Sequence, residues 1–556
     1  NGVAIFTAYD PNTGQNRLFR SDGTTAGTVA IADVYENGPN TTFDGKLYFA
    51  GYSASGDYGL ISTDGTSGGT TFLAAIDRIY NPYEADVFFE SGGHLFFIAS
   101  KGNTGSELWA TDGTAAGTHL LRDIEPGSGS SQILNITAYN GGILFSAWNS
   151  EVGRELWFSD GTTAGTVLVE DVNPATDAGA DLYSHDVTNA GTKTFFLGQT
   201  NATSEELWIS DGTAAGTHLV EDLEPGSNSS NVQHLTAVGD DVFFLAYTSE
   251  NETELWTSDG TEAGTVALTD SSYFFASYLT ELNGELVFYA SDSNVSGLWS
   301  SDGTVGGTAS YSDVIANSDF FAFGGALYFQ GFDPDSGNSG LFQTDGTAAG
   351  TAFVKSVSGI SAEFVVAGTR FFFEGYDSSS GYELWVSDGT ASGTMQVKDI
   401  YLGGNSGDPD KITAIGNRVV FTARDATNGR ELWVSDGTAL GTTLLKDINV
   451  GSDDSQIYDI EAAGSRAFFT LSDSSTYEIR LWTTDGTTAG TIDVTGSQYT
   501  LADTPVHVVN GKAVVQVYDS TDGRYSWAVS DGTGTGLTTL VTTNTTGSTT
   551  IVYNGE

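Results

Sequence analysis

The chain contains no cysteine, which excludes both a disulfide framework and thiol chemistry. Basic residues are scarce: Lys plus Arg number 20 against 71 Asp plus Glu, for a formal net charge of -51. A protein that grips phosphates carries a basic patch, so nucleic acid is not an expected partner. No apolar run reaches the ~18 residues of a membrane span, and no direct crossing is expected. The six histidines, His94, His119, His185, His218, His234 and His507, show no paired spacing of the kind zinc requires. His119 and His218 each follow a Gly-Thr pair and read as drift within a repeat. Helical periodicity is absent throughout, and no segment is long or proline-rich enough to act as a linker. The acidity suits a salty or calcium-rich exterior, where cations screen or neutralise self-repulsion, and equally suits an ordinary soluble acidic surface. The chain starts inside a repeat at Asn1, as a mature secreted form would.

What the chain does have is a period. Ser/Thr-Asp-Gly-Thr recurs twelve times, with its Asp at 22, 64, 112, 160, 211, 259, 302, 345, 388, 436, 485 and 531. The gaps run from 42 to 51 residues, within the range that marks solenoids and propellers. In the unit from Asn135 to Val172, Ile136–Tyr139 reads as a strand and Asn140-Gly141-Gly142 as a hairpin turn. Further strands are read at Ile143–Trp148, Glu155–Ser159 and Val167–Val172. Leu stands four residues before the Asp in eleven units, and Trp three before it in eight. Adjacent strand residues point to opposite faces, so a Leu-Trp pair means a sheet buried on both sides. That is the condition of a propeller blade wedged between two others. Phe pairs such as Phe195-Phe196 and Phe243-Phe244 repeat the signal on the second strands.

The fold expected is therefore all-β: a β-propeller of twelve four-stranded antiparallel blades. The chain opens on a second strand, Asn1–Ala8, and closes on a first strand and its turn, Thr550–Gly555. Residues 1–34 and 549–556 should share the terminal blade and close the ring, with 1–556 forming a single repeat domain. Two propellers of about six blades are the alternative architecture. The absence of a linker favours one ring, as do bulky Phe pairs placed near the axis, where a small wedge angle would accommodate them. In the turn, Asp can accept from amides two residues on, and Gly supplies a positive φ. A second Gly follows five residues after the Asp in all twelve units. A residue set copied twelve times is read as structural.

Six units carry Glu-Leu-Trp before the turn, at Glu107, Glu155, Glu206, Glu254, Glu383 and Glu431. With Asp-Gly-Thr, they make the chain resemble the ELWxxDGT repeat family of large secreted and surface bacterial proteins. Leu60-Ile61 and Trp527-Ala528 depart from the pattern. More loosely, the turn is similar to the Asp-box of sialidase-type propellers. The family resemblance implies an extracellular, surface- or adhesion-associated protein and no defined activity.

Catalytic candidates do not stand out, because no carboxylate pair breaks the repeat pattern as a glycosidase pair would. Calcium is the cofactor expected, since it takes oxygen ligands from closely spaced Asp, Asn and carbonyls. The candidate ligands lie in loops between second and third strands: Asp333, Asp335 and Asn338; Asp425 and Asn428; Asp519 and Asp522; and the Asp10-Pro11-Asn12 turn. An ordinary polar turn has the same composition. A second acidic row, Asp33, Asp123, Asp171, Asp222, Asp270, Asp313, Asp399 and Asp447, ends eight fourth strands and could ligate cations or cap loops. Seven Asn-x-Ser/Thr sequons, at Asn40, Asn135, Asn201, Asn228, Asn251, Asn294 and Asn544, matter only in a glycosylating host. The function expected is a non-enzymatic extracellular structural or adhesive scaffold, calcium-stabilised, whose partners are cell-surface proteins or glycans or further copies of itself. Alternatives are a glycan-binding or glycan-hydrolysing propeller, and a self-assembling filament or surface-layer subunit.

Overall fold

The computed structural model describes residues 3–10, 13–80, 87–172, 187–200, 203–226, 228–249, 252–270, 274–361, 363–472, 476–502, 506–534, 536–543 and 550–553. It folds into twelve antiparallel sheets, one per repeat. Numbered in chain order, the blades are 1 (550–553 with 3–32), 2 (35–75), 3 (78–120), 4 (134–170), 5 (188–219), 6 (233–267), 7 (275–312), 8 (315–355), 9 (365–396), 10 (410–446), 11 (456–493) and 12 (499–543). Blade 1 is completed from the far end of the chain: Val3 pairs with Tyr553, Ala4 with Val552, Ile5 with Ile551 and Phe6 with Thr550. A strand edge that would otherwise template aggregation is thereby paired.

Packing decides between one ring and two. Twelve buried clusters span the twelve junctions between consecutive blades, from Val3, Ile5, Leu47 and Phe49 across blades 1 and 2 to Phe468 and Val515 across blades 11 and 12. The last joins blade 12 to blade 1 through Trp527, Val514, Phe6 and Phe19. Blade 6 packs onward against blade 7 through Phe243, Leu255, Phe288 and Trp299. The protein is thus a single twelve-bladed β-propeller. The Leu-Trp pair works as its alternation requires. Leu156 faces blade 5 while Trp157 faces blade 3, and Leu108 and Trp109 divide in the same way.

Within each blade the first strand lies nearest the axis, where first strands of consecutive blades meet, as in blades 5 and 6, 9 and 10, and 12 and 1. The Phe pairs expected beside the axis sit one strand further out, on the second strands, where Phe195, Phe371 and Phe468 are fully buried. First strands are less regular than four simple strands per repeat would suggest. They are broken in two in blades 3, 8 and 12, and bulged in blades 2, 4, 6, 7, 10 and 11. A bulge bends its strand and increases its twist, which fits an inner strand that must follow a confined path. In blade 4 the third strand begins at Gly153, two residues before the expected start, and the fourth ends at Glu170. Asn1, Gly2, Asn554 and Gly555 lie outside the described residues.

Candidate functional site

The repeated turn is a closed hydrogen-bond circuit. In blade 4, Asp160 Oδ1 accepts from Thr162 N at 2.9 Å and Thr162 Oγ1 at 2.7 Å. Thr162 Oγ1 in turn accepts from Gly165 N at 2.9 Å. Ser159 Oγ accepts from Gly161 N at 3.2 Å and bonds Thr166 Oγ1 at 2.8 Å. The Asp-to-Thr pair of bonds recurs in every blade, as at Asp22, Asp345 and Asp531. The bond from the threonine hydroxyl stabilises the charged carboxylate and holds Asp22, Asp64, Asp112, Asp259, Asp302, Asp345, Asp388, Asp436, Asp485 and Asp531 below the usual range. The geometry explains both glycines. Gly161 has φ +87, and a Cβ there would meet the His94 ring of blade 3 at 2.6 Å; a Cβ at Gly165 would lie 2.0 Å from Asp160 Oδ1.

The same turn is also where the neighbouring blade attaches. A basic residue opening a second strand donates to a turn carbonyl of the next blade: Arg370 to Asp436 O at 3.1 Å, Arg418 to Asp485 O at 2.8 Å, and Arg466 to Gly532 O at 2.8 Å. Lys193 reaches Asp259 O in the same way. Lys512 donates to Gly23 O at 3.2 Å and latches blade 12 to blade 1. Several of the few cations in this acidic chain therefore hold blades together.

Sequence reasoning did not assign a role to the Glu of Glu-Leu-Trp. Glu107, Glu206, Glu383 and Glu431 are wholly buried and accept backbone amides from the segment that crosses to the next blade. Glu107 takes Ile124 N at 3.0 Å and Ser131 N at 3.1 Å. Glu206 takes Leu223 N and Ser230 N. Glu383 Oε1 takes Tyr401 N and Gly407 N, both at 3.1 Å, and Glu431 takes Ile448 N and the Ser455 hydroxyl. Each clamps an interblade crossover. Burial pushes Glu107, Glu206 and Glu383 up to about 7 and Glu431 to about 6, opposed by the amide bonds. The second acidic row shares this region: Gly127 N and Gly403 N donate to Asp123 and Asp399, so these carboxylates cap the loops.

Three of the loops expected to hold calcium are turns in blades 8, 10 and 12, where Asp335 and Asp522 are exposed, Asp333 and Asp425 half-buried and Asp519 buried. Asp333 Oδ1 accepts from Asp335 N at 3.0 Å, its other oxygen takes the Ser336 hydroxyl, and Asn338 N donates to that hydroxyl at 3.3 Å. Asp425 takes Thr427 N at 2.7 Å and the Asn428 side chain at 2.7 Å. Asp519 takes Thr521 N at 2.8 Å and Gln498 Nε2 at 2.6 Å, and Asp522 takes Arg524 N at 3.0 Å. None of these loops supplies more than two carboxylates, and a cation would have to use the remaining lone pairs together with carbonyls and water. Among the described residues, no group of three or more His, Asp or Glu side chains is arranged to hold a metal. Pro11 and Asn12, and the sequon residues Asn201, Asn251 and Asn544, lie outside the described residues. No helix among the described residues is long and apolar enough to cross a membrane.

No protein-family model matches the chain, and no curated protein matches it. Among solved structures it is similar to a puromycin hydrolase, at 13% identity over 63% of this chain and 62% of that one, with a TM-score of 0.28. It is similar also to the β-propeller domain of the trilobed protease from Pyrococcus furiosus, at 10% identity over 64% of this chain and 96% of that one, TM-score 0.22. A third is TolB from Acinetobacter baumannii, at 12% identity over 47% and 62%, TM-score 0.21. The chain thus spans under two thirds of the hydrolase. Resemblances this distant carry no argument about activity.

Proposed function

We propose that this twelve-bladed propeller is a non-enzymatic scaffold or adhesive ring of the cell exterior. The observation that carries this reading is where the repeated chemistry is spent. The Asp, Thr and Gly of each turn bond within the turn, basic residues opening second strands latch the next blade, and motif glutamates clamp the crossovers. What repeats is thereby used for rigidity, and surface loops are left to vary. The charge of -51, the lack of cysteine and the resemblance to ELWxxDGT repeat proteins support an extracellular setting. The partners proposed are cell-surface proteins or glycans, or further copies of the chain, with calcium as a stabilising ion at the acidic loops. Purified protein incubated with glycan and peptide panels should bind without turnover. Turnover that disappears on mutating one carboxylate pair would overturn the proposal. Electron microscopy of the native cell surface separates an adhesive module from a filament or layer subunit.

A further inference from the structure

At three blade junctions a basic side chain at the end of one blade's fourth strand, or two residues beyond it, lies across the motif tryptophan of the next. Arg122 sits 5.1 Å from the Trp157 ring, Lys398 5.6 Å from Trp433, and Lys446 4.9 Å from Trp482. In all three, the charged head donates to the backbone carbonyl of the threonine that closes the turn. Arg122 reaches Thr166 O at 3.2 Å, Lys398 reaches Thr442 O at 2.8 Å, and Lys446 reaches Thr491 O at 3.3 Å. The basic residue always immediately precedes an Asp of the second acidic row: Asp123, Asp399 or Asp447.

Between blades 6 and 7 the residue at this position, before Asp270, is Thr269. Its hydroxyl accepts from Leu255 N at 3.1 Å, within its own sheet. A cavity of about 390 Å³ opens there, and its walls contain both partners that the basic residue uses elsewhere, Trp299 and Thr308. Phe274 adds a second aromatic wall, Glu254, Asp270 and Asp292 contribute carboxylates, and no Lys or Arg among the described residues lines it. Trp299 is 9% exposed, and its indole N–H has no hydrogen-bond partner among the described residues. Aromatic faces beside carboxylates attract organic cations.

We propose that this cavity binds an alkylammonium or alkylguanidinium group from outside the chain, in the place that Arg122, Lys398 and Lys446 fill internally. The alkyl stem would lie on Trp299 and Phe274, with the head directed to the Thr308 carbonyl and the three carboxylates. The group could belong to a Lys or Arg side chain of a partner or to a free amine, whether or not the ring is a scaffold. The test is calorimetric titration of the full chain at fixed ionic strength with n-butylammonium, n-butylguanidinium, the neutral isostere n-butanol and an end-blocked Gly-Lys-Gly peptide. The cations should bind one to one and about tenfold or more tighter than butanol. A bound peptide with no binding of free amine assigns the group to a protein partner, and the converse to a small molecule. Thr269→Lys should abolish binding by supplying the cation internally. Thr269→Met should block the cavity by volume yet melt below Thr269→Lys. The proposal is overturned if no cation binds, if butanol binds equally well, if saturable binding survives in Thr269→Lys, or if the two variants melt alike.

Discussion

Replacing the clamp glutamate of blade 9 tests whether buried carboxylates fix the crossovers. Glu383 is fully buried and its Oε1 holds two backbone amides. Glu383→Ala removes the acceptor and leaves both amides inside, at roughly 1–3 kcal/mol each, so a loss on the order of 2–6 kcal/mol is expected. Glu383→Gln keeps an acceptor for both amides and removes the charge, which separates the clamp from its electrostatic cost. The carboxyl lies at about 7 in the fold against an ordinary 4.5 because burial disfavours its charged form. The folded state therefore holds a proton that the unfolded state releases between these values. Its contribution is complete below 4.5 and is lost as pH rises through 7. At about 1.4 kcal/mol per unit, the cost above pH 7 reaches ~3 kcal/mol. Glu383→Gln should accordingly match the parent at about pH 4 and exceed it at about pH 8, with Glu383→Ala below both throughout. Native-state hydrogen exchange at Tyr401 and Gly407, with urea midpoints at both pH values, reads these differences locally in a large protein. Unchanged exchange in Glu383→Ala, or the same Glu383→Gln effect at both pH values, would refute the clamp.

Other outcomes follow from the same geometry. The raised glutamates Glu107, Glu206, Glu383 and Glu431 lose their contribution as pH climbs above 4.5, whereas the depressed turn aspartates, such as Asp22, Asp64 and Asp345, lose theirs as it falls below the usual carboxylate range. A thermal scan should thus peak at about pH 4–5, and a peak above about pH 7 would contradict this. Gly161→Val should cost on the order of 1–3 kcal/mol through positive φ alone, with added strain against His94; an unchanged melting temperature would contradict it. Millimolar calcium should raise the melting temperature beyond sodium at matched ionic strength, by up to about 2.7 kcal/mol per site at a hundredfold excess over Kd. Asp333→Ala with Asp335→Ala should reduce that excess, and equal effects of the two salts would remove calcium from the account. Deleting residues 549–556 removes the strand paired to Val3–Phe6 and should lower the melting temperature or cause aggregation.

The architecture was legible because it is periodic and local. Asp-Gly-Thr marks each blade, the Leu-Trp alternation declares two buried faces, and Ile551-Val552 pairs with Ala4-Ile5 as the split unit implied. The turn was legible for the same reason, since Asp160 bonds a residue two positions away. The clamps and latches were not. Glu107 meets amides 17 and 24 residues on, and Arg418 meets a carbonyl 67 residues on. Nothing in a single repeat tells whether such a side chain points into a junction or into water. The significance of Thr269 is more remote still, since it shows only once Lys398 is seen to cross onto the next blade. The irregular inner strands escaped because the bulges around Asn135 and His234 answer to curvature about the axis.

The measurement that bears most directly on the single ring is cryo-electron microscopy of the purified chain viewed down its axis. One closed ring of twelve wedges per 556-residue chain is expected, with density continuous from blade 12 into blade 1. Two smaller rings of about six wedges, or an open arc parted between blades 12 and 1, would contradict it.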